Sequence, residues 1–236
     1  MSEGRVLEDL VAANRILAHE GVVDAFGHVS VRHPSKPDRF LLSQSRAPEL
    51  VEFGDILEFE LDGTPINLKG LTPYAERFIH GAAYERNPEV GAVVHNHAEE
   101  LIPFSITEAK LGACCHVAAS IGEDIPTWDI KKRFGDTDLL VTDIEKARDL
   151  ASFLGNGNVA LMRGHGCIVT GANLRQTVRT AIYLMVNARI LAKAMLMGSP
   201  KFLTAGELEK SAERKQNPLG GDRAWEYWKR RSGYLT

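Results

Sequence analysis

Two short stretches decide how this chain is read: Gly91–His97, GAVVHNH, and Met162–Gly171, MRGHGCIVTG. The first is a β-branched run that ends in His95-Asn96-His97. Side chains alternate along a strand, so residues i and i+2 share a face and the two imidazoles project side by side. That is half of a metal site. In the second stretch His165 stands between Gly164 and Gly166, which permit a sharp backbone turn and clear space around the ring. Three neutral imidazoles would leave a coordination position open, the pattern of a catalytic rather than a structural metal. Ligand type alone leaves Zn²⁺, Mn²⁺ and other first-row divalent ions open. Each stretch is weak by itself: an H-x-H is also two unrelated polar residues at a strand end, and nothing in the sequence shows that the two stretches meet.

Working outward, Leu7–Glu20 has apolar residues at helical spacing and Gly21 as its stop. Ala25–Arg32, Arg39–Ser43 and Asp55–Leu61 read as strands, the last followed by the turn Asp62-Gly63. Pro73–Asn87 reads as a helix opened by proline. Val90–Val94 is a short strand, Ala98–Phe104 a short helix or turn, and Ala113–Ala119 a strand. Asp143–Leu154 is helical, and Asn158–Met162 and Cys167–Val169 are strands flanking the Gly-His-Gly. Leu174–Met197 is a long amphipathic helix capped by Asn173, and Leu208–Arg231 is helical. Strands and helices mix without regular βαβ alternation, which points to a layered α/β or α+β domain. No stretch reads as a linker or repeat, so residues 1–236 are expected to form a single domain.

Composition narrows the class. Of 236 residues, 44% are hydrophobic and 25% charged, and the net charge is -3. Such a chain can bury roughly three quarters of its unfolded surface, so it needs no staple. The charge balance lacks the footprint of a nucleic-acid binder. No uninterrupted apolar run reaches the roughly 20 residues that span a bilayer, so no membrane partner is expected. The N-terminal MSEGRVLEDL carries no apolar h-region. The three cysteines, Cys114, Cys115 and Cys167, make no disulfide framework and read as small buried apolar residues. A cytoplasmic enzyme or binding domain is expected.

Beyond the two histidine stretches, Glu76-Arg77-Phe78-Ile79-His80-Gly81-Ala82-Ala83-Tyr84, Asn87-Pro88 and Ala92–His97 together resemble the class II aldolase/adducin family. Arg163-Gly164-His165-Gly166, followed by Gly171 and a long helix, resembles the same family's third-ligand segment. The resemblance spans about residues 5–200. It implies an α/β fold: a three-layer αβα domain around a central mixed or antiparallel sheet. It also implies one divalent metal ion per subunit, Mn²⁺ or Zn²⁺, held by His95, His97 and His165, with Glu76 beside it as general acid/base. Without the resemblance Glu76 reads as a first-turn helix glutamate favoured by the helix dipole. Family members form ring-like homotetramers with active sites at subunit interfaces, where a neighbour contributes a residue. His116 falls at the position of that residue; otherwise it is a strand histidine. His19, His33 and His80 read as structural.

The departures from the sugar-phosphate members concern the substrate. Those members grip phosphate with a Gly-Asn-x-Ser element, a Thr/Ser-x-x-Gly loop and a Ser-Ser-Glu. This chain has Gly27-His28-Val29-Ser30, then Ser43-Gln44-Ser45-Arg46-Ala47-Pro48-Glu49, then Tyr74-Ala75-Glu76. The pocket formed by His28, Ser43, Ser45, Arg46 and Tyr74 is thus bulkier and more basic. Arg46 presents a planar fork matched to carboxylate, unless it pairs with Glu49 or another surface acid. The pattern resembles the family's decarboxylases of hydroxylated aromatic or pyridine dicarboxylates. The expectation is a metal-dependent lyase acting on a small anionic substrate. It would decarboxylate through an enolate-like intermediate stabilised by the metal, with Glu76, His28 or His116 supplying the proton. A class II aldolase cleaving a ketose or ketose phosphate is the alternative. A non-catalytic, adducin-like binding module is the third, distinguished by lack of metal uptake. Trp225, Tyr227 and Trp228 near the C-terminus either dock onto the fold or cover an aromatic substrate.

Overall fold

The computed structural model describes residues 3–214 and 218–234. Seven strands form one sheet in the order β3-β2-β1-β4-β7-β6-β5. They are β1 (His28–Arg32), β2 (Arg39–Ser43), β3 (Ile56–Glu60), β4 (Ala92–Asn96), β5 (Thr127–Trp128), β6 (Val159–Met162) and β7 (Gly166–Gly171). Every neighbouring pair is antiparallel except β5 with β6. The sheet is therefore mixed, as expected.

The period-two alternation of the central strands builds two cores. Ala92 and Val94 of β4 and Cys167 and Val169 of β7 face a core shared with α1 (Glu3–His19) and α6 (Leu174–Met197), joined by Trp225 and Trp228. Val93 and Ile168 face the opposite core, built with α2 (Phe78–Arg86) and α5 (Ile144–Ser152). Helices on both faces of one sheet give the expected αβα layering. By length and composition alone α6 could cross a membrane; here its apolar stripe is buried against the sheet and α1. Asn173 and Asp143 cap α6 and α5 by accepting from Gln176 N and Lys146 N.

Several boundaries differ from expectation, each for a local reason. The helix expected from Pro73 begins only at Phe78, because Pro73 bridges to Gln44 in extended backbone and the Tyr74 hydroxyl bonds the Arg46 carbonyl. β1 begins at His28 because Asp24 turns the preceding chain, its carboxylate accepting from Phe26 N and Gly27 N. The strand expected at Ala113–Ala119 does not form: His116–Ile121 is a 3-10 helix instead, and Cys114 N bonds the Asn187 side chain of α6. Cys167 is buried as expected, but Cys114 and Cys115 are only half-buried against the core. The short helix or turn expected over Ala98–Phe104 is a turn followed by α3 (Ile102–Ser105), and α4 (Lys131–Phe134) and β5 carry no periodicity to betray them. Of the C-terminal helix expected over Leu208–Arg231, the described residues are helical on both sides, in α7 (Ala205–Arg214) and α8 (Pro218–Arg231), and 215–217 lie outside the described residues. Trp225 and Trp228 dock on the body, Trp228 against Tyr183, while Tyr227 stays exposed.

Candidate metal centre

Four side chains meet at the end of β4. One donor atom from each of Glu76, His95, His97 and His165 lies within 4.8 Å of the others. His95 is the last residue but one of β4, on the α2 face, and His97 follows the strand. The Asn96↔Cys167 pairing brings the glycine-flanked turn of His165 alongside. Both glycines are required there. Gly164 sits at φ 64, in the left-handed region, and a Cβ on Gly166 would stand 2.1 Å from the Asn96 carbonyl. Close backbone approach thus carries His165 to His95, with ring centroids 5.0 Å apart.

The outer nitrogen of each ring is anchored. His95 Nδ1 lies 3.0 Å from the Cys167 carbonyl, His165 Nδ1 3.0 Å from the Leu139 carbonyl, and His97 Nδ1 3.3 Å from the Asp24 carboxylate. Carbonyls and ionised carboxylates only accept, so each ring donates through Nδ1–H and keeps a bare lone pair on Nε2. All three lone pairs turn inward. His95 Nε2 and His97 Nε2 stand 3.0 Å apart with no proton left to share. Facing lone pairs repel unless a cation lies among them. A tetrahedral ion with bonds of about 2.0–2.1 Å separates its ligand nitrogens by about 3.3 Å. The donor set therefore fits a divalent ion.

Glu76 completes the set. Its Oε2 is 3.6 Å from His95 Nε2 and 3.5 Å from His165 Nε2, and its Oε1 accepts from Val141 N at 2.8 Å. Burial alone would push this carboxyl up, but the His165 and His95 rings beside it hold it well below the usual carboxylate range. Burial, with His95 and His165 nearby, pushes His97 down to about 4. The loop that reaches Glu76 also reaches His165. Leu139 accepts from His165 and Val141 donates to Glu76, and Leu139 itself sits at φ 69. A non-glycine residue there costs about 1–3 kcal/mol and persists only where its surroundings hold it.

The other sequence candidates lie at varied distances from the cluster. His28 pairs across the ladder with His95, and their rings are 5.0 Å apart. Tyr74 sets its ring 4.5 Å from that of His28, tilted by 45°, and bonds the Arg46 carbonyl. Ser43 is buried beside the Tyr74 phenol, and Ser45 is exposed. The Arg46 guanidinium is engaged by buried Asp55, with Nη1 2.7 Å from Oδ2. It pairs with an acid, as the alternative foresaw, though with Asp55 rather than Glu49. His116 is exposed on its 3-10 helix and stands outside the four-residue cluster. Asp24, Leu139 and Val141 escape the sequence reading. Only Asp24 leaves a signal, as the acid that opens a tight turn before Gly27. His80, read as structural, bonds His28 directly.

With fold and centre in view, the comparisons with known proteins define the class. Residues 8–192 match the family described as Class II Aldolase and Adducin N-terminal domain, and the chain belongs to it. Decarboxylase tropJ of Talaromyces stipitatus is 32% identical over 93% of this chain and 91% of its own. L-fuculose phosphate aldolase of Escherichia coli is 28% identical over 81% of each chain. The 3,4-dihydroxyphthalate decarboxylase of Arthrobacter keyseri is 29% identical over 74% of this chain and 73% of its own. Among solved structures, L-fuculose 1-phosphate aldolase from Glaciozyma antarctica superposes with a TM-score of 0.80 at 21% identity, covering 99% of this chain and 90% of that one. The fold is the class II aldolase fold, and the named relatives include both carboxy-lyases and aldehyde-lyases.

Proposed function

We propose that this chain is a metal-dependent carbon–carbon lyase that decarboxylates a hydroxylated aromatic or pyridine dicarboxylate. The observation that carries the metal is the convergence of three imidazole lone pairs with one carboxylate, each outer nitrogen anchored. The preference for decarboxylation rests on tropJ and the dihydroxyphthalate decarboxylase as relatives. It rests also on ring-bearing His28 and Tyr74 in the region where sugar-phosphate members place small phosphate-gripping groups.

In this reading His95, His97 and His165 hold one Mn²⁺ or Zn²⁺ ion. Bound there, the ion supplies Lewis acidity to the substrate oxygens it receives. Glu76, kept ionised by its neighbours, takes the proton of the substrate hydroxyl and returns it to the ring carbon that bears the departing carboxylate. The bond from that carbon to the carboxylate then breaks. CO₂ leaves, the electron pair restores the aromatic ring as a phenolate, and solvent protonates the phenolate oxygen. His28 is held well below the ordinary range by burial and by its His80 and His95 neighbours. A neutral imidazole serves as a hydrogen-bond donor to substrate oxygen rather than as the source of the proton on carbon. Tyr74 and the Ser43–Arg46 segment flank the ring, and Arg46, shared with Asp55, meets the second carboxylate. His116 acts in the site of a neighbouring subunit of a homotetramer. Residues 1–236 work as one domain in the cytoplasm.

The test is to load the protein with Mn²⁺ or Zn²⁺, supply 3,4-dihydroxyphthalate and 3-hydroxy-2-methylpyridine-4,5-dicarboxylate, and follow CO₂ release. CO₂ release above the metal-free control is expected. Its lack, together with cleavage of L-fuculose 1-phosphate, establishes instead the aldolase reading that the 28% identical relative supports.

A further inference from the structure

Behind the metal centre runs a second set of polar side chains, of which the reaction above uses only His28. His28 and Ser30 alternate on β1 and point to the same face of the sheet, toward α2. His80 and Tyr84, four residues apart on α2, project back at them. His28 Nδ1 lies 2.6 Å from His80 Nε2, Ser30 Oγ lies 2.6 Å from His80 Nδ1, and Ser30 Oγ lies 2.7 Å from the Tyr84 hydroxyl. All four residues are at most 2% exposed. The file thus runs unbroken from the ring beside His95 into the dry core.

Its hydrogen-bond direction can be worked out from one end. The Tyr84 phenol is neutral, because burial pushes its pKa up. Its O–H must find an acceptor, since a buried donor left unpaired costs about 1–3 kcal/mol. The side-chain acceptor in reach among the described residues is Ser30 Oγ. Tyr84 therefore donates to Ser30, and Ser30 must send its own hydrogen to His80 Nδ1. With Nδ1 accepting, neutral His80 carries its proton on Nε2 and donates it to His28 Nδ1. With Nδ1 of His28 also accepting, its proton sits on Nε2, the nitrogen that no protein group among the described residues engages. The reverse order would leave the Tyr84 hydrogen without a partner.

We infer that His80, backed by Ser30 and Tyr84, is a positioning residue that holds His28 in its Nε2–H tautomer and so presents a hydrogen-bond donor to a substrate oxygen beside the metal centre. The inference rests on the reading of His28 as a substrate-contacting residue. It adds three residues to the working site and makes their order directional. A donor at this place selects substrates that offer an acceptor oxygen there, a carboxylate or a phenolate, and disfavours those that offer a hydroxyl hydrogen.

The experiment has two arms. In metal-free full-length protein, ¹H–¹⁵N correlation across the imidazole rings reports which nitrogen of His28 carries the proton. Nε2–H is expected in the native chain, and Nδ1–H overturns the proposal. Tyr84→Phe removes the first donor with little change of shape, so a mixture of tautomers at His28 is expected. A tautomer unchanged in both Tyr84→Phe and Ser30→Ala also overturns the directional file. In the second arm His80→Gln, His80→Phe and His28→Ala are loaded with Zn²⁺ and assayed on 3,4-dihydroxyphthalate. His80→Phe is expected to lower kcat at least 10-fold with Zn²⁺ uptake retained, and His80→Gln, which keeps a donor, is expected to recover part of it. If His28→Ala lowers kcat and His80→Phe does not, the role of His80 fails while that of His28 stands. If neither lowers it, the reading of His28 fails, and the tautomer arm still decides the file.

Discussion

Two groups of histidines stand side by side on the same face of the sheet, and they are wired in opposite ways. In the first, His95, His97 and His165 turn one nitrogen outward to a carbonyl or carboxylate and the other inward, where three lone pairs face one another and Glu76. In the second, His28 and His80 direct their bonded nitrogens at each other and at Ser30, closing a chain with Tyr84. Residue type is shared, so it does not explain the difference. Their partners do: the first group sits at the end of β4 and on a glycine turn, where the Cys167 and Leu139 carbonyls and the Asp24 carboxylate take the outer protons. In the second, His28 opens β1 and His80 lies on α2, and their ring nitrogens meet side chains, each other and Ser30, with Tyr84 behind. Converging lone pairs demand a cation, whereas a closed chain demands nothing and serves to hold shape.

The largest expected effect comes from cutting into the first group. His95→Ala or His97→Ala should lower divalent-ion affinity at least 100-fold and abolish CO₂ release, as read by metal analysis after dialysis and by competition with a chelating dye. Retention of one ion per chain would erase the contrast between the two groups. Next, Glu76→Gln should lower kcat by about 10²–10⁴ while the ion is kept within a few-fold. If the ion is lost as readily as in His97→Ala, Glu76 belongs to the ligand set rather than to proton transfer. An acid titration comes third. His97 is held down to about 4 and His80, by burial and the charge of His95, to about 3, against about 6.5 in an unfolded chain. Between about 6.5 and those values the unfolded state binds more protons than the folded one. Stability therefore rises with pH across that window and is lost as the solution is acidified through it. Denaturation midpoints of metal-free protein should fall from pH 7 to pH 4.5, and a flat profile would show that the histidines are not buried neutral. The smallest effect is expected outside both groups. Arg46→Lys keeps charge but loses the planar fork, and should raise KM several-fold at unchanged kcat in steady-state kinetics.

How much of this is legible in the sequence follows the same division. The strands, the long helix, and the H-x-H and G-H-G stretches announce themselves because each carries its own local pattern, and the layered architecture follows from them and the family resemblance. Glu76 does not. Its chemistry depends on a turn formed because Pro73 pairs with Gln44 and Tyr74 reaches Arg46, contacts that no local periodicity encodes. The residues that orient the imidazoles are harder still. Cys167 and Leu139 act through backbone carbonyls, so the identity of the side chain carries no signal. His80 escapes because a lone histidine on a helix reads as packing. Only the pairing of β1 with β4, and α2 laid across them, shows that H-x-S on a strand faces H-x-x-x-Y on a helix.

The stretch from Leu139 to Val141 has a consequence for how such a centre diverges. It holds His165 by one carbonyl and Glu76 by the amide two residues on, and it lies outside the sheet and both cores' main helices. Lengthening or shortening that segment by a residue would alter the span between the Glu76 carboxylate and the His165 ring without replacing either side chain. The left-handed Leu139 marks where such an edit would act first.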